Sequence, residues 1–405
     1  MKLLVVSQYF FPENFRINDL VADFVARGHE VTVLTGMPNY PNGYFFEGYG
    51  LLAPRQEVIH GARVMRVPLV PRGLGGALRL VLNYISFGLF ASWSAIFRVG
   101  RGYDAVFVFA PSPISVVIPG LIAGWRCKAP VLLWVLDLWP ESLEATGVVR
   151  SPVILSVVGR IVGRLYKGCS RILVGSYGFS ESVMALGANP RGICHFPNWV
   201  EAIPDSKEGK GPRLPDGFTI VFAGNLGRAQ DFPSILSAVR LTRDIPVQWV
   251  FVGGGLMTDT AKQLVERESL QDRVHFLGRW PLEDMPALFA GAAALLVSLR
   301  NEPAFAKAIP GKIQSYLAAG RPILAMIDGE GGGVVQKAGA GRVCGAGRGD
   351  VLAENVRRLF AMSEAERLAL GESGKRYAQQ YFDRDLLLGK LSVWIDDAVK
   401  EHKHG

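Results

Sequence analysis

Closely spaced cysteines are absent from this 405-residue chain. Its four, Cys127, Cys169, Cys194 and Cys344, form no close pair. That spacing excludes a zinc ribbon and a disulfide framework, and leaves reduced thiols in a cytosolic setting as the simple expectation. No G-x-G-x-x-G follows the first apolar run, so a dinucleotide site is not expected there. The opening MKLLVVSQYF lacks a small-residue cleavage site and reads as a strand rather than a signal peptide. Acids are also missing where bases are plentiful. From Val58 to Tyr103 there are six arginines and no acid, and from Ala145 to Ser180 five basic residues and no acid. Residues 1–200 carry +7 of the net charge of +8. Such one-sided charge suits an anionic partner. With no nucleic-acid-binding motif present, an anionic membrane surface is favoured over nucleic acid.

At 49% apolar content, 405 residues can bury two cores, and apolar runs alternating with helical patterns indicate an α/β architecture. The uncharged run Leu80–Phe97 just reaches spanning length. It holds Asn83 and three serines and is flanked by Arg79 and Arg98. A core or interface-seated helix fits it better than a span. Val153–Lys167 reads as a helix with Arg160, Arg164 and Lys167 on one stripe beside Ile154, Val157 and Ile161. That stripe suits anionic lipid or, alternatively, plain solvent. The Pro-, Gly- and charge-rich stretch 202–216 reads as a linker between domains at 1–201 and 217–382, and 383–405 as a closing helix.

Candidate chemistry gathers where strands end. After Lys2–Val6 the loop SQYFFPENFRIN presents Asn14 and Arg16, where open α/β sheets bind ligands. A second loop, Met37–Gly50, is long and aromatic, a pattern common in functional loops. After Pro130–Leu136, DLWPES places Asp137, Trp139 and Glu141 at a strand tip, suiting base or sugar-face roles or an N-cap. In the second half, Thr219–Ala223 leads into GNLGRAQDF, Val247–Val252 into Gly253–Gly255, Val274–Leu277 into GRWPLEDM, and Ala293–Val297 into a loop ending in IPGK. Glycine-rich turns let backbone amides approach a diphosphate. Lys312 sits in the first turn of the helix read from PGKIQSYLAAG. A cation is disfavoured at that end unless a phosphate shares the site, the alternative being a solvated lysine. With Arg228, these parts favour a nucleoside-diphosphate site. Asp383 and Asp385 read as a cap rather than a metal pair.

The motifs FFPENFRINDL, RGHEVTVLTGMPNYP, FFEGY, DLWPES, FPNWV, FAGNLGRAQDF, FLGRWP and IPGKIQSYLAAGRPIL together resemble retaining glycosyltransferases of family 4. More narrowly they resemble bacterial polysaccharide enzymes of the WbuB/WcaI type. The resemblance implies an α/β GT-B fold, two Rossmann-like domains facing a cleft. It implies a nucleotide-sugar donor, UDP-linked, with no metal or other cofactor. Donor-site positions are Gly224, Asn225, Arg228, Gly253, Gly254, Gly278, Lys312 and Ser315. Several depart from the family pattern. Asn225 and Gln230 stand where many members have Arg and Lys, and Lys307 and Ser315 where many have two glutamates. Leu136 replaces a histidine. Asp137 and Glu302 are the expected catalytic carboxylates, and Asn14, Arg16, Asn39, Tyr40 and Glu141 the acceptor contacts. The implied acceptor is an undecaprenyl-diphosphate-linked saccharide, handled on the inner face of the cytoplasmic membrane. The implied sugar is a deoxy-amino sugar such as N-acetyl-L-fucosamine. A UDP-N-acetylglucosamine 2-epimerase-like enzyme and a non-catalytic nucleotide-sugar or membrane scaffold are the alternatives.

Overall fold

A computed structural model describes residues 1–50, 55–73, 76–145, 147, 149–200 and 213–404. The chain forms two compact units, Met1–Phe196 with Leu388–Gly405, and Pro197–Leu387. In the first, eight strands form one sheet: β1 (Lys2–Ser7), β2 (Glu30–Gly36), β3 (Gln56–Ile59), β4 (Ala62–Val67), β5 (Ala105–Ala110), β6 (Val131–Val135), β7 (Arg171–Val174) and β8 (Ile193–His195). Their order is β3-β4-β2-β1-β5-β6-β7-β8. Every pair is parallel except β3 with β4. A parallel sheet is covered on both faces, which is why β5 (AVFVFA) and β6 (VLLWV) are apolar throughout and fully buried. The antiparallel hairpin β3–β4 is absent from the sequence reading. Its Gln56, Glu57, Arg63 and Arg66 interrupt any apolar run.

Six strands build the second unit: β9 (Phe218–Ala223), β10 (Val247–Val252), β11 (Val274–Gly278), β12 (Ala294–Ser298), β13 (Ile323–Met326) and β14 (Gly341–Cys344). They are parallel, in the order β11-β10-β9-β12-β13-β14. The order reverses beside β9, and such switch points leave a crevice at the carboxyl ends of the strands. Apolar layers on both faces, one around Trp249 and Phe251 and the other around Tyr316 and Leu317, hold this sheet rigid beneath those ends.

The helix Ala77–Phe97 starts three residues earlier than the apolar run suggests. Among the described residues it is the one helix long and apolar enough to cross a membrane, and only a minority of its Leu78–Phe97 stretch is buried. Arg66, one of six arginines expected to face an anionic partner, is instead interior. It pairs with Glu57, donates to the Gly36 and Phe11 carbonyls, and lies 4.7 Å from the Tyr49 ring centroid. A buried guanidinium needs such satisfaction, so this charge is removed from the surface. Most of the expected linker, residues 202–212, lies outside the described residues. Asp383 does cap the last helix, accepting from the Leu386 amide at 2.8 Å. Farther along that helix, Trp394 packs edge-on to Phe196 and Glu401 pairs with Arg171.

Candidate functional site

In the second unit the tip of β9 is built by what is missing from two glycines. Gly224 has φ of 127°, and a Cβ there would sit 2.8 Å from Lys312 Cε. Gly253 has φ of 129°, and its Cβ would fall 2.0 Å from the Gly224 carbonyl oxygen. Only glycine tolerates both the backbone angle and the approach. The expected role of their amides is corrected by the same geometry. Gly224 N–H donates to the Val252 carbonyl at 2.8 Å and Gly253 N–H to the Gly278 carbonyl at 2.7 Å, so neither is available to a diphosphate. Gly254 keeps a free amide among the described residues, while its carbonyl accepts from Leu226 N–H. Gly278, with φ of 71°, supplies the carbonyl that Gly253 N–H meets.

Lys312 is positioned from below. Tyr316, one turn along the helix Gly311–Ala319, is fully buried, and its hydroxyl accepts from the Ala223 amide at 2.8 Å. This bond fixes the helix against the end of β9. On the same face, Lys312 reaches over the Phe222 ring, with Nζ 3.4 Å from its centroid. Lys312 is half-buried as a residue, but its ammonium end is enclosed, and burial pulls its pKa down to about 7. A desolvated cation at a helix N-terminus is set up for an anion.

Other expected donor residues spread over neighbouring loops. Asn225 and Arg228 are exposed in the loop after β9, and the Gln230 side chain braces that loop by accepting from Gly227 N–H at 2.8 Å. Glu302 is half-buried just before the short helix Pro303–Ala306, without a capping bond from its side chain. Ser315 turns its hydroxyl back to the Gly311 carbonyl at 3.4 Å. Among the described residues no cluster of His, Cys, Asp and Glu could hold a metal ion.

In the first unit, Glu13 organises the loops after β1 and β2. Its carboxylate accepts from the amides of Asn39 (2.9 Å), Tyr40 (2.8 Å) and Phe10 (3.2 Å). Burial outweighs those three donors and lifts Glu13 to about 7. Sequence reasoning passed over this acid because a glutamate among turn residues reads as solvated. Its one signal was isolation within FFPENF. Asn39 is corrected from acceptor contact to framework. It is buried, its Oδ1 accepts from the Arg72 amide at 3.1 Å, and its Nδ2 donates to the Met37 carbonyl at 3.0 Å. Tyr40 stays 38% exposed, with its ring 5.4 Å from Phe15 and 5.2 Å from the Arg72 guanidinium. Asn14 is exposed, and Arg16 opens the helix Arg16–Ala26.

Glu13 carries a stability prediction. Glu13→Ala strands up to three buried amides, and each such loss costs about 1–3 kcal/mol where water does not reach. The unfolding free energy obtained from denaturant titration is expected to fall by a total of about 2–3 kcal/mol, seen as a lower midpoint at unchanged slope. An unchanged midpoint would mean that the loops do not depend on this carboxylate.

Asp137 follows β6. It accepts from Trp139 Nε1 at 3.2 Å and from the hydroxyls of Ser112 and Ser142. Burial lifts it above the ordinary carboxylate value despite these donors, with Glu141 adding to the rise. It is not the N-cap of the helix Glu141–Ala145, which begins four residues later with Glu141 in its first turn.

Family comparison matches residues 14–199 to a glycosyl transferase 4-like domain and residues 217–362 to glycosyl transferases group 1. The chain belongs to the family 4-type, group 1 glycosyltransferases. This glycosyltransferase is 26% identical over 291 residues to WbjE of Pseudomonas aeruginosa, named as a glycosyltransferase, covering 67% of the chain and 70% of WbjE. It is 23% identical over 348 residues to WcaI of Escherichia coli K12, a glycosyl transferase named for colanic acid biosynthesis. That match covers 79% of this chain and 82% of WcaI. The Anabaena protein HepE, solved with UDP, has the same fold: TM-score 0.68 at 15% identity, over 98% of this chain and 100% of HepE. Sucrose-phosphate synthase from Thermosynechococcus elongatus gives 0.71 at 16% identity over 98% of both chains. The expected fold class, α/β with two parallel-sheet domains of GT-B type, is the one observed.

Proposed function

We propose that this enzyme moves a sugar from a UDP-sugar to a lipid-linked saccharide during bacterial surface polysaccharide synthesis, with retention of anomeric configuration. The enclosed Lys312 ammonium at the tip of β9 carries the donor half of this reading. HepE, which shares the fold, has been solved with UDP and with UDP-glucose. The polysaccharide assignment draws on WcaI.

As the glycosidic bond breaks, its electron pair passes to the diphosphate. Lys312, Arg228 and the Gly254 amide meet the growing charge, and electrostatic stabilisation of this kind dominates many such reactions. The acceptor oxygen bonds to the anomeric carbon on the same face, and its proton passes to the departing diphosphate. Asp137 orients the acceptor hydroxyl, and Glu302 steadies the positive sugar ring. No metal is needed for this charge balance. The lipid-linked acceptor is undecaprenyl diphosphate-borne, and the protein sits peripherally on the inner face of the cytoplasmic membrane. Two features support that placement. The helix Pro152–Lys167 exposes Val153, Ile154, Val157 and Ile161 next to Arg160, Arg164 and Lys167, a pairing that suits anionic lipid. Trp125 is exposed nearby on the helix Val117–Cys127.

The test is incubation of the purified full chain with radiolabelled UDP-sugars, including UDP-N-acetyl-L-fucosamine, and polyprenyl diphosphate saccharides. Label is expected in the lipid fraction, with NMR of the product showing the donor's anomeric configuration. Release of an epimerised free sugar, or UDP-sugar binding without transfer to any acceptor, would overturn the assignment.

A further inference from the structure

The helix Ala77–Phe97 is seated with its polarity inverted. Asn83 is fully buried, donates to the Val70 carbonyl at 2.6 Å and accepts from Gln8 Nε2 at 2.7 Å. Ser86 accepts from the Val70 amide at 2.9 Å. These bonds fix the rotation of the helix, with Phe87, Ala91 and Ala95 filling the inward face. Most of the other large apolar residues therefore point out: Ile85 is 53% exposed, Leu89 66% and Trp93 52%. A contiguous apolar face of this kind marks an interaction site.

The shape of the face narrows its occupant. Between the helix and Pro68–Val70 lies a recess of about 800 Å³, walled by Leu82, Ile85, Leu89, Phe90 and Trp93, with Arg55 and Arg98 as the charged groups. A concave, mostly apolar volume with few polar groups has the character of a ligand site, whereas a bilayer surface needs no recess. Beside its Val70 end stands Arg72. The Arg72 Nη2 donates to the Tyr84 hydroxyl at 2.8 Å, and the guanidinium lies 5.2–5.7 Å from the rings of Tyr9, Tyr40 and Tyr84. Among the described residues no carboxylate pairs with it. A preorganised guanidinium without a carboxylate suits a phosphate, which it binds through paired N–H donors.

We propose that this recess holds the isoprenoid chain of the lipid-linked acceptor and that Arg72 takes its diphosphate. The inference rests on the acceptor reading above and adds the subsite. A polyprenyl diphosphate would lay its apolar chain along this recess with the charged diphosphate at the Arg72 end, and a two-chain phospholipid is the competitor against which the test is read. Arg72 touches Tyr40, so the bound head group lies beside the loop that Glu13 holds in place.

A diazirine-bearing polyprenyl diphosphate, added to the full chain in neutral detergent, tests the subsite. Photo-adducts are expected on residues 82–93. Unlabelled polyprenyl diphosphate should suppress them and phosphatidylglycerol should not. Arg72→Gln should weaken labelling. Adducts scattered over other helices, or equal suppression by phosphatidylglycerol, would overturn the proposal. Kinetics give a second reading. Leu89→Gln, at an exposed position that should leave folding intact, is expected to raise KM for a long-chain acceptor about tenfold. It should leave KM for a two-isoprene acceptor unchanged. An equal change for both acceptors would also overturn the proposal. If no lipid acceptor is glycosylated even by the wild type, the acceptor reading falls, and the labelling pattern still decides the recess.

Discussion

Lys312→Met is expected to lower kcat by about 100- to 1,000-fold, the usual cost of removing one preorganised group that stabilises transition-state charge. Methionine is unbranched and nearly as long, and its thioether can lie against the Phe222 ring where the ammonium now sits, so the change removes charge with little loss of packing. The unusual acidity of this lysine makes the test specific. In the ligand-free fold its pKa falls from 10.5 to about 7. Between those values the unfolded chain holds more protons than the folded one, so stability contributed here rises with pH across that window. Below pH 7 both states are protonated, and the full penalty of the buried cation remains. A bound diphosphate reverses the balance by favouring the charged amine. At pH 8, calorimetry in buffers of different ionisation enthalpy should therefore record close to one proton taken up per UDP bound. The methionine variant should take up none and should lose the rise in melting temperature between pH 7 and 10. Equal turnover and proton uptake in the two proteins would remove Lys312 from the site.

Long stretches of the fold are readable from the residues because buried parallel strands are apolar on both faces and nothing else in the chain looks like them. LLVV, AVFVFA and VLLWV each declare a strand. The β3–β4 hairpin escapes because its charges are neutralised inside the fold, with Glu57 pairing Arg66 across nine residues of sequence. The glycines of the donor loops are readable as turns, but not for their physical role. Gly224 and Gly253 matter for absent Cβ atoms, which let Lys312 and the β9 tip close together, and their amides are consumed by the backbone. Asn83 shows the same limit from the other side. In sequence it looks like a polar blemish in an apolar helix. In the fold it is the anchor that turns the apolar face outward. Glu13 and Arg72 are hidden because both act through partners far along the chain, which no local pattern announces.

Asp137→Asn is expected to reduce kcat by about 100-fold, at the lower end of what a positioned acid or base contributes. The carboxylate faces three donors, Trp139 Nε1 and the Ser112 and Ser142 hydroxyls. An amide offers one acceptor oxygen where the carboxylate offers two, so one donor loses its partner, at about 1–3 kcal/mol if water cannot replace it. A fall in stability is thus expected with either a catalytic or a structural role, and pH separates them. Burial raises the Asp137 pKa above its ordinary 3.8, so the folded state favours the protonated acid. The stability it contributes is full below the unfolded value and declines as pH rises through the folded one. Orientation of an acceptor hydroxyl needs the ionised form, so kcat/KM should instead increase with pH through that same raised value. Opposite pH trends in melting and in kcat/KM, both abolished by Asp137→Asn, would identify a carboxylate held at a cost to the fold for use on the acceptor. A wild-type kcat/KM without an acid limb, alongside an unchanged limb in melting, would leave Asp137 a purely structural acceptor for Trp139 and the two serines.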